Sequence, residues 1–270
     1  QLYKKNKSLF LPNIHIERNE GEYMNTGQKT WRRAKQIIPG GTMLFSKNPD
    51  LFLPDRWPAY FKKSKGCKIW DLDGNCFNDL SLMGVGTNSL GYANPYVEKK
   101  VIEVIKKGAM TSLNSIEEIK LAERLTQLHP WSEMVRFTRS GGEANSVAIR
   151  IARASSGRDN IAVCGYHGWH DWYLSSNIGN SNKLNKHLMN SVPIKGVPKS
   201  LKNTVFPFDY NNFNQLKEIV DKHKIGVIKM EVKRNFKPKN NFLQKVRKLS
   251  TEKNIVLIFD ECTSGFRQSF

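Results

Sequence analysis

The second half of the chain alternates short apolar runs with amphipathic segments of helical period, and this alternation constrains the fold more than any other feature. Short apolar runs predict buried strands, while apolar residues that recur every three or four positions predict helices. Strands that are joined through helices form parallel sheets, so we predict an α/β fold with a mainly parallel sheet and flanking helices. The predicted strands are Met134–Thr138, Ile161–Cys164, Ile225–Met230 and Ile255–Phe259, and the predicted helices between them are Glu143–Ser156, Phe213–Lys222 and Phe242–Lys253.

The helix predicted at Glu143–Ser156 has a clear apolar face, and Gly157 suits its C-terminal end. We expect that face to pack on the sheet. Its members are Ala144, Val147, Ala148, Ile151 and Ala152.

The first half of the chain carries local signals of a different kind. A helix is predicted over Thr26–Ile38, with Thr26 as its N-cap. Aromatic-rich alternation over Tyr60–Asp79 surrounds an Asp-Gly turn and predicts a β-hairpin. Two more helices are predicted at Pro95–Lys107 and Ile116–Leu128. The chain is thus expected to divide into an N-terminal extension (1–25), a helix and hairpin segment (26–110) and an incomplete large domain (111–270).

Composition and charge exclude several classes of function. The formal net charge is +19, which is typical of nucleic-acid binding, but the lysines are spread along the chain without interleaved aromatic residues. We interpret the charge as a solvated surface and expect no nucleic-acid partner. Apolar runs are too short for a membrane span and no signal peptide is seen, so a cytoplasmic location is expected. The four cysteines form no C-x-x-C pair and fit reduced thiols, so no metal site is predicted.

A glycine-containing turn follows the first predicted strand. Ligands of open α/β sheets bind beyond the carboxyl ends of the strands, so this turn is a candidate site. Ser140-Gly141-Gly142 opens a helix, where free N–H groups and the helix dipole favour an anion such as phosphate. A Gly-Gly pair before a helix is more often a plain loop, so the turn alone leaves both interpretations open.

An aromatic turn, Gly165–Asp171, follows the second predicted strand. Tyr166 or Trp169 would serve to stack on a flat ring, and an aromatic packing cluster is the alternative. His167 and His170 suggest metal or triad chemistry, but the sequence places no third ligand or nucleophile beside them.

Carboxylates follow the last two predicted strands directly. Glu231 and Asp260 each come after an apolar run, where a carboxylate is costly to bury unless it meets a cation. Asp260 therefore requires a positive partner. Alternation along the strand points Glu261 to the opposite face, returns Cys262 to the side of Asp260, and places Lys229 on the face of Glu231. Taken together, a phosphate turn, a stacking aromatic ring and a buried carboxylate match the phosphate, ring and pyridine nitrogen of pyridoxal 5′-phosphate (PLP).

Several motifs in a fixed order carry a wider resemblance. They are Ile38-Pro39-Gly40-Gly41, Trp70-Asp71-Leu72-Asp73-Gly74-Asn75, Ser140-Gly141-Gly142-Glu143-Ala144, Tyr166-His167-Gly168 and Asp260-Glu261-Cys262-x-x-Gly265-Phe266-Arg267. This order resembles the class III aminotransferases, and most of all the branch that contains glutamate-1-semialdehyde 2,1-aminomutase. The resemblance implies a fold-type I PLP enzyme, usually a homodimer, that acts on a small amino donor and a carbonyl acceptor.

The resemblance also implies roles for individual residues of the cofactor site. Ser140, Gly141 and Gly142 are implied to hold the cofactor phosphate. Tyr166 is implied to stack on the pyridine ring, with His167 beside it.

The remaining implied roles concern the ring nitrogen, the second ring face and the residues that support them. Asp260 is implied to pair with the ring nitrogen and is the catalytic residue of this chain. Cys262, where the family usually has valine, is implied to lie against the second ring face. Glu231 is implied to support the site near Asp260.

The chain departs from the family pattern at three further positions. Gly142 and Val232 stand where threonine and proline are usual, and Lys47 stands where the aminomutase branch has a substrate-binding arginine. The lysine that carries the cofactor in this family lies beyond Phe270, so this chain alone is expected to be inactive. Three functions stay open: aminotransfer between molecules, aminomutase chemistry within one molecule, and a non-catalytic binding protein on the same scaffold.

Overall fold

The computed structural model describes residues 24–80, 83–84, 86–180, 183–185, 187, 194–233 and 235–267. These residues form two compact units, the first ending at Met110 and the second beginning at Thr111. None of the helices in these ranges is long and apolar enough to cross a membrane.

The first unit begins with helix α1, Thr26–Ile37, and its cap corrects the sequence prediction. The N-cap is Asn25 and not Thr26: the Asn25 side chain accepts a hydrogen bond from the Gln28 N–H at 2.7 Å. Thr26 instead donates its backbone N–H to Asp73 at 3.0 Å. Asparagine caps a helix at least as well as threonine, and the contact with Asp73 engages Thr26 in another hydrogen bond.

Three antiparallel strands follow, in the order β1-β2-β3. They are β1 Phe61–Lys65, β2 Lys68–Asp71 and β3 Cys76–Asn78. The predicted hairpin with its Asp-Gly turn is confirmed and lies between β2 and β3. Asp71 is buried, and its Oδ1 accepts the N–H groups of Asp73 and Asn75 at 3.0 and 2.8 Å, which fixes the turn. Helix α2, Pro95–Lys107, completes the unit with the predicted bounds.

The second unit contains the predicted parallel sheet, so the α/β prediction is confirmed. Its strand order is β5-β4-β6-β7, and every neighbouring pair is parallel. The strands are β4 Asn160–Cys164, β5 Val205–Pro207, β6 Ile225–Glu231 and β7 Val256–Asp260. The helices are α3 Ile116–Leu128, α4 Gly141–Ser156, α5 Asp171–Leu174, α6 Phe213–Lys222 and α7 Phe242–Glu252.

One predicted strand is wrong and one strand was not predicted. Met134–Thr138 pairs with none of the described strands, and the Met134 side chain is exposed. Val205–Pro207 lies beside β4 instead, with Val205 opposite Ile161. An alternating pattern indicates an extended backbone, but only a neighbouring backbone makes it a strand. A three-residue run that contains proline gives almost no strand signal of its own.

The sheet is covered on both faces, and the two faces differ in what they carry. Helices α6 and α7 pack on one face through an apolar core that includes Ile228 and Met230. Helices α4 and α5 cover the other face, towards which Val227 points. All seven residues of β6 are buried, as expected for a central parallel strand. Alternation therefore sends Lys229 and Glu231 to the α4 and α5 side.

The face that α4 turns to the sheet matches the predicted one only in part, at Ala152 and the half-buried Val147 and Ala148. Ile149 and Ala152 are its buried residues, whereas Ala144 and Ile151 are exposed. Polar Asn145 lies on the inward side of α4 as well, where its side chain donates a hydrogen bond to the backbone carbonyl of His167. The pattern of apolar residues in the sequence gives no information about such a polar contact.

Candidate functional site

The N-terminus of α4 presents the predicted phosphate turn. Ser140 is the N-cap, and its Oγ accepts the Glu143 N–H at 3.2 Å. Glu143 in turn accepts the Arg139 N–H at 2.8 Å, so both ends of the turn are held as in a capping box. Ser140 and Gly141 are exposed, and a Cβ on Gly141 would meet nothing within 4 Å. An anion can therefore reach the backbone N–H groups at the start of this helix.

The turn after β4 is shaped by two glycines with left-handed backbone angles, Gly165 at φ +105° and Gly168 at φ +96°. Tyr166 between them donates its backbone N–H to Glu231 Oε2 at 3.1 Å. The Tyr166 ring is half-buried and stands edge-on to Tyr173, with ring centroids 6.3 Å apart. The turn thus presents an aromatic ring at the carboxyl end of the sheet, where ligands of this fold class bind.

The phosphate turn at the start of α4 and the aromatic turn after β4 lie next to each other. The Asn145 side chain on α4 donates to the backbone carbonyl of His167 at 3.1 Å. A Cβ on Gly168 would lie 3.5 Å from the Cα of Gly142, so the two backbones run close together. The structure therefore brings Ser140, Gly141 and Gly142 next to Tyr166 and His167, which are far apart in the sequence.

Asp260, at the end of β7, has contacts on both of its carboxylate oxygens. Its Oδ2 lies 3.0 Å from His167 Nδ1 and 3.3 Å from Lys229 Nζ. Its Oδ1 accepts the backbone N–H of Cys262 at 3.1 Å. The positive partner that burial of Asp260 requires is thus Lys229, which is itself only 1% exposed.

Burial and these contacts together shift the pKa values of Asp260, Lys229 and His167. Burial alone would raise the pKa of Asp260, but the hydrogen bond from His167 and the charge of Lys229 outweigh it and hold this pKa well below its usual range. Burial lowers the pKa of Lys229, and attraction to Asp260 opposes that shift in part. Burial also lowers the pKa of His167 despite its hydrogen bond to Asp260.

The His167 ring makes two contacts to oxygen atoms. Nδ1 faces Asp260, and Nε2 lies 3.1 Å from the carbonyl oxygen of Cys164. Both oxygens accept, so a neutral ring, which carries one proton, satisfies only one of them. Lys229 supplies Asp260 with a donor whichever nitrogen of His167 carries the proton.

Glu231 and Cys262 flank this cluster. Glu231 is buried and lies opposite Asp260 in the ladder between β6 and β7. Cys262 is exposed, and the contact it makes with Asp260 is through its backbone. Glu261 is also exposed, in keeping with its predicted direction away from Asp260.

Sequence reasoning missed part of this site. It placed Lys229 on the face of Glu231 but did not pair it with Asp260, although a lysine inside an apolar strand is itself a signal that a carboxylate lies nearby. It also missed the hydrogen bond of 2.6 Å between Ser146 and His170, which fixes the His170 ring behind the phosphate turn. Among the described residues, no group of three or more His, Cys, Asp and Glu side chains is arranged to hold a metal ion.

Comparison with known proteins agrees with this geometry. The sequence pattern of the family described as aminotransferase class-III matches residues 54–269. The chain is 34% identical over 252 residues to 3-aminobutyryl-CoA aminotransferase of Cloacimonas acidaminovorans, a match that covers 88% of this chain and 55% of that protein. It is 35% identical over 246 residues to glutamate-1-semialdehyde 2,1-aminomutase of Sulfurisphaera tokodaii, covering 89% of this chain and 56% of that protein.

Comparison with solved structures also finds similar proteins. An omega-transaminase from Sphaerobacter thermophilus superimposes with a TM-score of 0.76 at 27% identity, covering 90% of this chain and 56% of the other. The chain thus spans a little more than half the length of the relatives it matches. On the family match over residues 54–269 and these likenesses, the chain belongs to the class III aminotransferase family.

Proposed function

We propose that this chain forms the cofactor-binding part of a PLP-dependent enzyme that transfers an amino group between small molecules. One observation carries the proposal: the phosphate turn at Ser140, the aromatic ring of Tyr166 and the largely buried carboxylate of Asp260 meet at one edge of the sheet in a member of this family. The substrates are proposed to be a small amino donor and a carbonyl acceptor, because relatives include an aminotransferase and an aminomutase.

The residues present fit the cofactor. The exposed turn around Gly141 has room and N–H donors for a phosphate. Asp260 is ionised and anchored from three sides, so it offers a fixed negative charge to a pyridine nitrogen. When bound, PLP supplies an electron-withdrawing ring that stabilises negative charge on a substrate carbon.

Each part of the site then has a task of its own. Ser140, Gly141 and Gly142 bind and orient the phosphate. Tyr166 covers one face of the ring and excludes water from it. Asp260 holds a proton at the ring nitrogen, and His167 keeps the carboxylate of Asp260 in place.

Two further residues complete the proposed site. Glu231 accepts the backbone N–H of Tyr166 and so fixes the turn that carries the Tyr166 ring. Cys262 is proposed to lie against the second face of the ring, and its backbone N–H holds Asp260.

An exposed apolar helix supports a homodimer. The side chains of Ile116, Ile119 and Leu121 on α3 are each more than half exposed. Such a surface is costly to leave in water, and a second copy of the chain is the partner that we propose for it.

Two alternatives differ in the fate of the amino group. An aminomutase keeps the amine on one carbon skeleton, and the relatives named as aminomutases favour this possibility. A non-catalytic protein would bind the cofactor without transferring an amine, and the charge of Lys229 beside Asp260 is the feature of this site that favours it.

The test starts from cofactor uptake. The protein is titrated with PLP and followed by absorbance, and Ser140→Ala is expected to weaken binding several-fold by removing a hydroxyl donor. A protein that also carries the cofactor lysine expected beyond Phe270 is then tested with a panel of small amines for conversion of bound PLP to its amine form, with 15N-labelled donors to show whether nitrogen leaves the donor molecule. Uptake without conversion by any donor supports the non-catalytic alternative, and no uptake at all rejects the proposed function.

A further inference from the structure

Lys229 is a buried cation in an otherwise apolar stretch of β6. Its strand neighbours Ile228 and Met230 are fully buried, and Lys229 itself is 1% exposed. An ammonium group in such a place is costly unless a carboxylate compensates it. The compensating group is Asp260, whose Oδ2 lies 3.3 Å from the lysine Nζ.

The carboxylate that meets Lys229 is the one proposed to face the ring nitrogen of PLP. Asp260 already has partners on both oxygens, with His167 and Lys229 at Oδ2 and the Cys262 N–H at Oδ1. A protonated ring nitrogen would therefore approach a carboxylate that already faces a positive charge. Two cations near one carboxylate repel each other, which weakens the hold on the second one.

We propose that Lys229 is a positioning residue that acts through Asp260, so that the ring nitrogen of bound PLP holds its proton less tightly than Asp260 alone would make it. The inference rests on the proposed function, because it takes Asp260 as the partner of that nitrogen. It goes beyond that function by assigning a role to a lysine that makes no proposed contact with substrate.

The charged and titratable groups around the pair come from each neighbouring segment. His167 lies on the turn after β4, Glu231 on β6 and Cys262 after β7, and each acts on Lys229 or Asp260. Glu231 and Asp260 both favour the charged form of Lys229, against the effect of burial. Two carboxylates therefore compensate the positive charge of one lysine inside the sheet, 3.3 Å from the oxygen proposed to face the ring nitrogen.

The test measures the ring nitrogen directly. The protein is loaded with PLP labelled with 15N in the ring, and the nitrogen chemical shift is followed against pH. Lys229→Met removes the charge at similar volume, and Lys229→Gln removes it but keeps a donor for Asp260. In both variants we expect the ring nitrogen to titrate about one pH unit or more higher than in the wild type. Lys245→Met, which removes an exposed lysine of α7, is the matched control and should leave the titration unchanged.

The wild-type protein also gives a readout that needs no variant. Its ring nitrogen is expected to lose its proton below about pH 9, and a nitrogen that stays fully protonated above that pH overturns the inference even if both Lys229 variants fail to fold. Equal titrations in the wild type, Lys229→Met and Lys229→Gln also overturn it while leaving the proposed function intact. A wild-type protein that takes up no PLP rejects the proposed function, and the inference falls with it.

Discussion

The backbone of Gly165 lies directly against the carboxylate of Glu231. A Cβ on Gly165 would stand 2.5 Å from Glu231 Oε2, the same oxygen that accepts the Tyr166 N–H at 3.1 Å. Gly165 also has φ +105°, which L side chains rarely adopt. Glycine at this position lets the turn after β4 reach the end of β6, so the presentation of Tyr166 depends on a missing side chain.

Replacing this glycine should damage the fold more than its backbone angle alone explains. Gly165→Ala adds a collision with Glu231 to the cost of a left-handed alanine, so we expect a loss of about 3 kcal/mol or more in unfolding free energy. Gly157→Ala is the control, because Gly157 has φ +62° but open space at its Cβ, and should cost about 1 kcal/mol. Urea unfolding measures both, and equal losses would contradict the contact with Glu231.

Removing the charge of Asp260 should separate cofactor binding from turnover. In a protein that also carries the cofactor lysine expected beyond Phe270, Asp260→Asn leaves the phosphate turn intact, so we expect PLP to bind within a few-fold of the wild type while amino transfer falls by about 100-fold or more. Glu261→Gln is the control, since Glu261 is exposed and its removal should affect neither property. Near-normal turnover in Asp260→Asn would show that the ring nitrogen has another partner.

The same aspartate should also set the acid stability of the fold. Its pKa is depressed in the folded state, so the stability it contributes is present above its unfolded pKa of about 4 and is lost as the pH falls through the lower folded value. The difference in unfolding free energy between the wild type and Asp260→Asn should therefore be about 3 kcal/mol near neutral pH and shrink only below about pH 4.

Urea unfolding over a pH series measures this difference. Asp55→Asn serves as the control, because Asp55 is largely exposed and should show little difference at any pH. A wild-type advantage that disappears already near pH 6 would contradict the assignment.

The glycine at position 142 should resist replacement by threonine, the usual residue of the family. A Cβ there would lie 2.9 Å from His170 Nε2, and His170 is held by its hydrogen bond to Ser146. Gly142→Thr is therefore expected to cost about 1–3 kcal/mol, and adding His170→Ala should restore part of it. Gly141→Ala has open space and should be nearly neutral. A single Gly142→Thr variant of wild-type stability would show that His170 moves aside freely.

Local signals in the sequence were enough to predict most of the helices. Pro95–Lys107 and Ile116–Leu128 have the predicted bounds, because Asn94 and Ser115 cap them with side chains that lie next to the helix in the sequence. The α/β class followed from the alternation of strands and helices for the same reason, since burial pattern and helical period are short-range properties.

Long-range partners decided the features that the sequence left open or misjudged. Met134–Thr138 has the pattern of a strand but pairs with no described strand, whereas Val205–Pro207 lacks the pattern and pairs with β4. Strand pairing joins backbones from distant parts of the chain, so a local pattern does not determine it.

The candidate site shows the same division between what local sequence determines and what long-range contacts decide. The sequence by itself determined that Asp260 follows an apolar strand, requires a positive partner, and belongs to a chain with the motifs of a PLP site. Only the tertiary structure decided that Lys229 and His167 are the groups that meet it. The parallel register places Glu231 opposite Asp260 and Lys229 opposite Ile258, so the lysine side chain reaches Asp260 along the strand direction. That register depends on how two strands separated by helix α7 pack together, which is a property of the folded sheet and not of either strand.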